Sequence, residues 1–313
     1  MKPEIAVIDS LLVLVMDMMK DEAVFYTDWP TAPKKDDLLA VADNIRAIAT
    51  SGSTGASAKV MDMFPNLEIV GVLGVGTDAV DLEHAKSRGI AVTNTPRVLA
   101  NGVAELALAL MFAVNREVVA ADAYARSGAW AEKGNFRLSR DLLGKKLGIF
   151  GYGAIGSRTA ALASAIGMEV AYSGPREKPA VAYPYYPTLR DLAEACDILT
   201  LTCPGGPATS KAVDRAVLDA LGPDGVLINV SRGSVVDEDE LIAALREKRI
   251  RAAGLDVFSD EPRVPDALKS MDNVTMLPHM GSATVETRMA MSGLVSDNLR
   301  AHFAGRELLT RVV

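Results

Sequence analysis

The sequence predicts an α/β protein of two domains, each built on a doubly wound parallel sheet, with a cleft between them. Three observations carry that prediction. The chain has 313 residues, 49% apolar and 23% charged, the size and balance of an ordinary globular protein of two domains. Short apolar runs of strand character alternate with helical stretches, the rhythm of a parallel sheet with helical crossovers. One such run, residues 147–150, leads straight into Gly151-Tyr152-Gly153-Ala154-Ile155-Gly156, a glycine spacing that suits a phosphate-binding turn between strand and helix.

In the first half, residues 4–7, 47–50, 69–73 and 91–93 read as strands. The run 11–16 is apolar, but Asp9 and Asp17 bracket it and it is far too short to span a bilayer. No basic stretch or small-residue cleavage site precedes it, so secretion is not expected. Residues 38–45 have helical apolar spacing, and Pro65 marks the turn before the strand at 67–72. Residues 81–88 form a short helix ending at Gly89, a residue suited to the left-handed position after a helix. Residues 1–97 therefore make one α/β unit without a dinucleotide fingerprint. The stretch 100–116 is apolar on nearly all sides and is expected to be a buried helix connecting the domains. Residues 117–135 are more polar and carry Trp130 between Gly128 and Gly134. They read either as an exposed arm that packs on another subunit or as a plain surface excursion.

The second half opens on the glycine turn. Its glycines permit a tight bend, close approach of backbone to a pyrophosphate and tight packing of helix on strand, while the helix at 157–166 presents N–H groups and a positive dipole end. Strands at 147–150, 169–172, 198–201, 226–230, 252–257 and 274–277 match a doubly wound sheet of Rossmann-like or flavodoxin-like form. Residues 289–306 form a helical tail expected to return to the first domain.

Charge and residue usage exclude several functions. With 33 basic and 40 acidic residues the net charge is −7, and no basic stripe interleaved with aromatics is visible, so no nucleic-acid partner is expected. No segment is long and apolar enough for a membrane. Cys196 and Cys203 lie in a strand-like region without CxxC or metal-ligand spacing, which suits inert buried thiols in a reducing, cytoplasmic compartment. Three histidines without a paired arrangement give no support for a metal, and none is expected.

Three residues fall just beyond predicted strands: Arg232, Glu261 and His279. Ligands of open parallel sheets bind beyond the carboxyl ends of strands, where the Gly151 turn also lies. Arg232 can present its fork to a carboxylate and a neighbouring carbonyl oxygen at once. His279 can protonate the oxygen of a carbonyl under reduction, and a carboxylate at Glu261 would favour the charged imidazole that does so.

The sequence at this point resembles the D-2-hydroxyacid dehydrogenase family over nearly its whole length. The segments that carry the resemblance are Gly74-Val75-Gly76-Thr77-Asp78-Ala79-Val80-Asp81, Val103-Ala104-Glu105-Leu106-Ala107, the Gly151 fingerprint, residues 229–237, residues 254–262 and Pro278-His279. Within the family it looks most like the glyoxylate and hydroxypyruvate reductases, through Cys203-Pro204-Gly205-Gly206 and residues 216–222. The resemblance implies a substrate-binding domain of residues 1–97 plus 286–313, a dinucleotide-binding domain of 98–285, and a homodimer joined through the latter. It implies that Arg232 binds the substrate carboxylate and keto oxygen, His279 is the acid, Glu261 orients it, and the amides of Val75 and Gly76 hold the carboxylate. It also implies cofactor contacts from Ala154 and Ile155 at the pyrophosphate, Cys203 and Pro204 along the adenosine side, Asp256 at the carboxamide, and Val230, Ser231 and Gly281 around the nicotinamide. Loops at 51–56, Leu73 and Trp130 of a partner subunit would shape the pocket wall.

The cofactor is expected to be NADP, with NAD as the weaker alternative. Where NAD-binding fingerprints carry an acid at the end of the second strand, this chain has Ser173, followed by Arg176 and Lys178 as partners for a 2′-phosphate. The expected reaction is NADPH-dependent reduction of small 2-oxo acids, glyoxylate and hydroxypyruvate, to 2-hydroxy acids. The rivals are another dehydrogenase of the family, of phosphoglycerate, D-lactate or phenylpyruvate type, and a nicotinamide-sensing corepressor or scaffold on the same fold. A formate enzyme would be expected to lack the partner at Glu261.

Overall fold

The computed structural model describes residues 2–28 and 36–313. The chain divides into two compact units, Met1–Leu99 with Ser282–Val313, and Ala100–Gly281.

The first unit runs β1 (Glu4–Val7), α1 (Val13–Met19), β2 (Val24–Thr27), β3 (Ile45–Ser51), α2 (Ala58–Asp62), β4 (Ile69–Leu73), α3 (Leu82–Ser87) and β5 (Ala91–Thr93). All pairings are parallel, in the order β2-β1-β3-β4-β5. The central strands β3 and β4 are buried on both faces, and that produces their strong apolar signal in sequence. The edge strand β2 gave no such signal, because only Thr27 of its four residues is buried. Residues 38–45, expected to be helical, instead form turns and a short 3-10 segment, Ala42–Asn44. The Asp37 carboxylate accepts a hydrogen bond from the Leu39 amide at 3.1 Å, a local bond that competes with helix in a stretch too short to nucleate one alone. By contrast α3 has both its signals in place: Asp81 accepts from the His84 amide at 2.9 Å, and Gly89 closes the helix at φ 71°.

The second unit runs α4 (Ala100–Asn115), α5 (Val118–Arg126), α6 (Ala129–Lys133), β6 (Lys146–Phe150), α7 (Ala154–Ala165), β7 (Glu169–Ser173), α8 (Leu189–Ala195), β8 (Ile198–Leu201), α9 (Arg215–Leu221), β9 (Val226–Asn229), α10 (Glu238–Arg246), β10 (Ala252–Leu255), α11 (Asp266–Lys269) and β11 (Val274–Met276). Its six strands are all parallel, in the order β11-β10-β9-β8-β6-β7. Helix α4 presses on this sheet at Gly254, where a side chain would crowd Ile228, Leu110 and Val114. The strand order reverses between β6 and β8, so the loops after those two strands diverge and leave the opening in which ligands of such sheets bind.

The chain then returns as α12 (Val285–Phe303), which completes the first unit. It packs on β4 at Gly71, whose missing side chain makes room for Val295 and Leu299. Arg300 of α12 donates to the Met18 carbonyl and pairs with Glu22, each at 2.8 Å, which fastens the tail beside α1. No helix among the described residues is long and apolar enough to cross a membrane.

Candidate active site

Three strand ends of the second unit assemble the site. After β9, the buried Asn229 side chain closes a turn by accepting from the Ser231 amide and donating to the Arg232 carbonyl, each at 3.0 Å. Arg232 is aimed by that turn, and its Nη1 donates to the Ser231 carbonyl at 2.9 Å. At Gly233 any Cβ would overlap the Phe258 backbone, so the turn after β9 lies backbone to backbone against the turn after β10. Glycine is required there for room.

After β10, Glu261 accepts from the Phe258 amide with one oxygen at 3.0 Å. Its other oxygen accepts from His279 Nδ1 at 2.6 Å. Burial pushes the Glu261 carboxyl up, but the His279 and Phe258 hydrogen bonds and the charges of His279 and Arg232 outweigh it, so the group is held below the usual carboxylate range. An ionised Glu261 fixes the Nδ1 proton and leaves Nε2 for substrate. Among the described residues Nε2 has no hydrogen-bond partner.

After β11, His279 stands in the left-handed region at φ 52°. Asp256 holds it there. The Asp256 carbonyl accepts from the His279 amide, and its carboxylate oxygens accept from the amides of Met280 and Gly281 at 2.7 and 2.8 Å. Burial raises the Asp256 carboxyl, and the two amides oppose that shift. Sequence reading missed this clamp and the Asn229 turn. The available signal was a polar residue closing each of two apolar strands.

The glycine turn after β6 has the features a dinucleotide needs. At Gly151, φ 99°, a Cβ would overlap the Cys203 backbone after β8, and at Gly156 it would overlap the Gly151 carbonyl. At Gly153 a Cβ would meet nothing within 4 Å, which leaves open space in front of the turn. Helix α7 has no side-chain cap at Gly153, so the first-turn amides of Ala154 and Ile155 remain for an anion. The residues present therefore fit a pyrophosphate. Ser231 Oγ donates to the Cys203 carbonyl at 2.6 Å, joining the β8 and β9 ends beside that turn. Val230, Ser231, Cys203 and Gly281 are buried, and Pro204 is exposed. Burial pushes the Cys203 thiol up to about 11 and Cys196 up to about 12, so neither is a thiolate at neutral pH.

At the end of β7, Ser173 is buried, while Arg176 and Lys178 are exposed with no ion pair among the described residues. The loop that carries them is tied down: the Tyr172 hydroxyl accepts from the Lys178 amide at 2.8 Å, and the Tyr185 hydroxyl donates to the Gly174 carbonyl at 3.0 Å. Trp130 stands on α6 and is 64% exposed. Leu73, Val75 and Gly76 belong to the first unit, where Leu73 is buried at the end of β4 and Asn94 holds the Val75 carbonyl at 2.8 Å.

Residues 108–281 match the family model of the D-isomer specific 2-hydroxyacid dehydrogenase NAD binding domain. The chain is 50% identical over 284 residues to glyoxylate/hydroxypyruvate reductase A of Arabidopsis thaliana, covering 90% of each protein. It is 44% identical over 312 residues to 2-ketogluconate reductase of Gluconobacter oxydans, covering 100% of this chain and 99% of that one. The crystal structure of the NADPH-dependent glyoxylate/hydroxypyruvate reductase of Sinorhizobium meliloti, in complex with NADP and malonate, superposes with a TM-score of 0.92 at 42% identity over 100% of this chain and 97% of that one.

Proposed function

The chain belongs to the D-isomer specific 2-hydroxyacid dehydrogenase family, and on that premise we propose that it reduces small 2-oxo acids, glyoxylate and hydroxypyruvate foremost, with NADPH. The observation that carries the reading is the His279 to Glu261 pair, at 2.6 Å beside Arg232 and on the same sheet edge as the glycine turn. When bound, the reduced nicotinamide supplies a hydride to the carbonyl carbon. Arg232 holds the substrate carboxylate and stabilises the charge that grows on the carbonyl oxygen. His279 delivers the proton to that oxygen from Nε2, and Glu261 keeps the ring oriented and balances its positive charge. We also propose the amides of Val75 and Gly76, in the first unit, as carboxylate-binding groups. Ala154 and Ile155 take the pyrophosphate, with Cys203, Pro204, Val230, Ser231 and Gly281 along the rest of the dinucleotide. Asp256 contributes chiefly by fixing the backbone of residues 279–281.

For the cofactor, a 2′-phosphate meets no carboxylate at Ser173 and finds Arg176 and Lys178 unpaired in solvent. NADPH is therefore favoured over NADH. We further place the enzyme in the cytoplasm as a homodimer, in keeping with its two free cysteines and the exposed Trp130.

The test is NADPH oxidation on addition of glyoxylate or hydroxypyruvate. His279→Ala should lower kcat by about 100-fold or more with little change in KM, whereas Arg232→Ala should damage both. Near-normal reduction by His279→Ala sinks the mechanism, and a higher kcat/KM with NADH sinks the cofactor assignment. No turnover with any 2-oxo acid would favour a corepressor or scaffold.

A further inference from the structure

Residues 174–186 leave the end of β7 and come back beside it. The Tyr172 amide donates to the Pro184 carbonyl at 3.0 Å and the Tyr186 amide donates to the Tyr172 carbonyl at 2.9 Å, so Tyr185 runs parallel to Tyr172 at the edge of the sheet. A parallel return is usually made through a helix that packs on the sheet. This one contains no helix, and residues 175–180, Arg176 and Lys178 among them, are all exposed. A loop with so little burial of its own is ordered by what it is fastened to.

Four tyrosines fasten it. The Tyr152 ring stands 4.8 Å from that of Tyr172 and 6.2 Å from that of Tyr183, centroid to centroid, and the Tyr185 ring lies 5.3 Å from that of Tyr172. All three pairs are tilted and lie in the range over which aromatic rings attract. Three of the hydroxyls are committed within the protein: Tyr172 accepts from the Lys178 amide at 2.8 Å, Tyr185 donates to the Gly174 carbonyl at 3.0 Å, and Tyr183 lies 3.0 Å from Ser164 Oγ of α7. The fourth, on Tyr152, makes no hydrogen bond among the described residues. Tyr152 is the second residue of the glycine turn, so its ring joins the turn suited to a pyrophosphate to the loop that bears Arg176 and Lys178.

We propose that Tyr152 and Tyr183 are positioning residues for coenzyme choice: their rings fix the loop on the glycine turn, so that Arg176 and Lys178 stand preformed for a dinucleotide with a 2′-phosphate. The inference rests on the reading of turn and loop as an NADP site. Cations on a slack loop must be ordered as the phosphate binds, and that lost entropy subtracts from affinity. A dinucleotide without the phosphate gains nothing from the two cations and is indifferent to the order of their loop. Selection of NADPH thus depends on the rings as well as on the charges.

The test uses Tyr152→Phe, Tyr152→Leu, Tyr183→Leu and the double leucine variant. Hydrogen exchange without ligand reads the loop itself. In each leucine variant the amides of residues 174–186 should exchange about tenfold faster while those of β9 stay as in the wild type, and Tyr152→Phe should match the wild type because that hydroxyl bonds nothing. Calorimetric titration with 2′-phospho-AMP and AMP then reads coenzyme choice without turnover. The leucine variants should weaken 2′-phospho-AMP about fivefold or more and AMP by less than about twofold, and the double variant should lose little more than either single one, since both remove the same contact. In steady-state kinetics KM for NADPH should rise while kcat holds. Unchanged exchange, equal weakening of the two nucleotides, or a loss in Tyr152→Phe as large as in Tyr152→Leu overturns the proposal. Tyr183 lies outside the glycine turn, so its variant decides the matter if Tyr152→Leu does not fold. A wild type that binds the two nucleotides equally overturns the NADP reading and the coenzyme role with it, whereas a wild-type preference kept by every variant overturns the positioning role alone.

Discussion

One ring nitrogen of His279 is committed to Glu261 and the other has no hydrogen-bond partner among the described residues, so the pair is asymmetric in a way that suits directed proton delivery. Glu261→Gln keeps the size of the side chain and removes its charge. We expect kcat to fall about tenfold or more while KM for hydroxypyruvate moves little, measured by steady-state kinetics. A matching pH signature follows from the lowered Glu261 pKa. A carboxyl whose folded pKa lies below its unfolded value of about 4.3 stabilises the fold above that value and ceases to do so as pH falls through the folded value. The stability difference between wild type and Glu261→Gln should therefore shrink as pH falls below about 5, in urea melts. A difference that keeps growing below that pH contradicts the pairing. Asp256→Asn tests the clamp behind the histidine. An amide presents an N–H₂ to one of the two backbone amides it must satisfy, a mismatch of about 1–3 kcal/mol. We expect a lower Tm together with reduced kcat. Arg232, Glu261 and His279 were legible in the sequence because charged residues just past apolar strands are conspicuous. Asn229 and Asp256 were less so, since their work is done on backbone groups that a sequence does not display.

At the scale of elements, the turns after β9 and β10 are set against each other by Gly233, and no side chain fits between them. Gly233→Ala should push Arg232 away from Glu261 and lower kcat/KM by about tenfold or more, alongside a loss of thermal stability. Wild-type kinetics in this variant would mean the packing is slack. The loop after β7 gives a second case. Tyr172→Phe removes the acceptor for the Lys178 amide and loosens the segment bearing Arg176. KM for NADPH should rise several-fold while KM for NADH changes little, and equal changes in both would remove the loop from cofactor selection. Sequence placed the buried strands well, because strands covered on both faces are apolar throughout. It missed β2, an edge strand with one buried residue, and it misread residues 38–45, where an aspartate-held turn carries an apolar spacing that imitates a helix.

At the scale of the molecule, the first five strands of each unit share one order, second-first-third-fourth-fifth, and the second unit adds a sixth. That shared order places an opening at the same point of both sheets, filled by glycines in one and by Asp9 and hydroxyls in the other. It also explains why only one unit was legible as a binding domain: a glycine fingerprint is a local signal, whereas Asp9 meets Ser51 and Thr54 only through the pairing of β1 with β3. Assembly is the remaining level. Phe112, Val118, Val119, Trp130, Leu138 and Leu143 are all exposed, a concentration of large apolar side chains within a single stretch of the second unit. Exposed apolar area of this kind is covered on association, with about 25 cal/mol gained per Å² removed from water. The protein should therefore sediment at about twice the 33.1 kDa of its chain. Val119→Asp, alone and with Trp130→Ser, places a charge and a polar group within that surface, and each change should weaken the dimer at least tenfold in sedimentation equilibrium while Tm of the monomer is preserved. A monomeric wild type at micromolar concentration would leave residues 117–135 as a plain surface excursion.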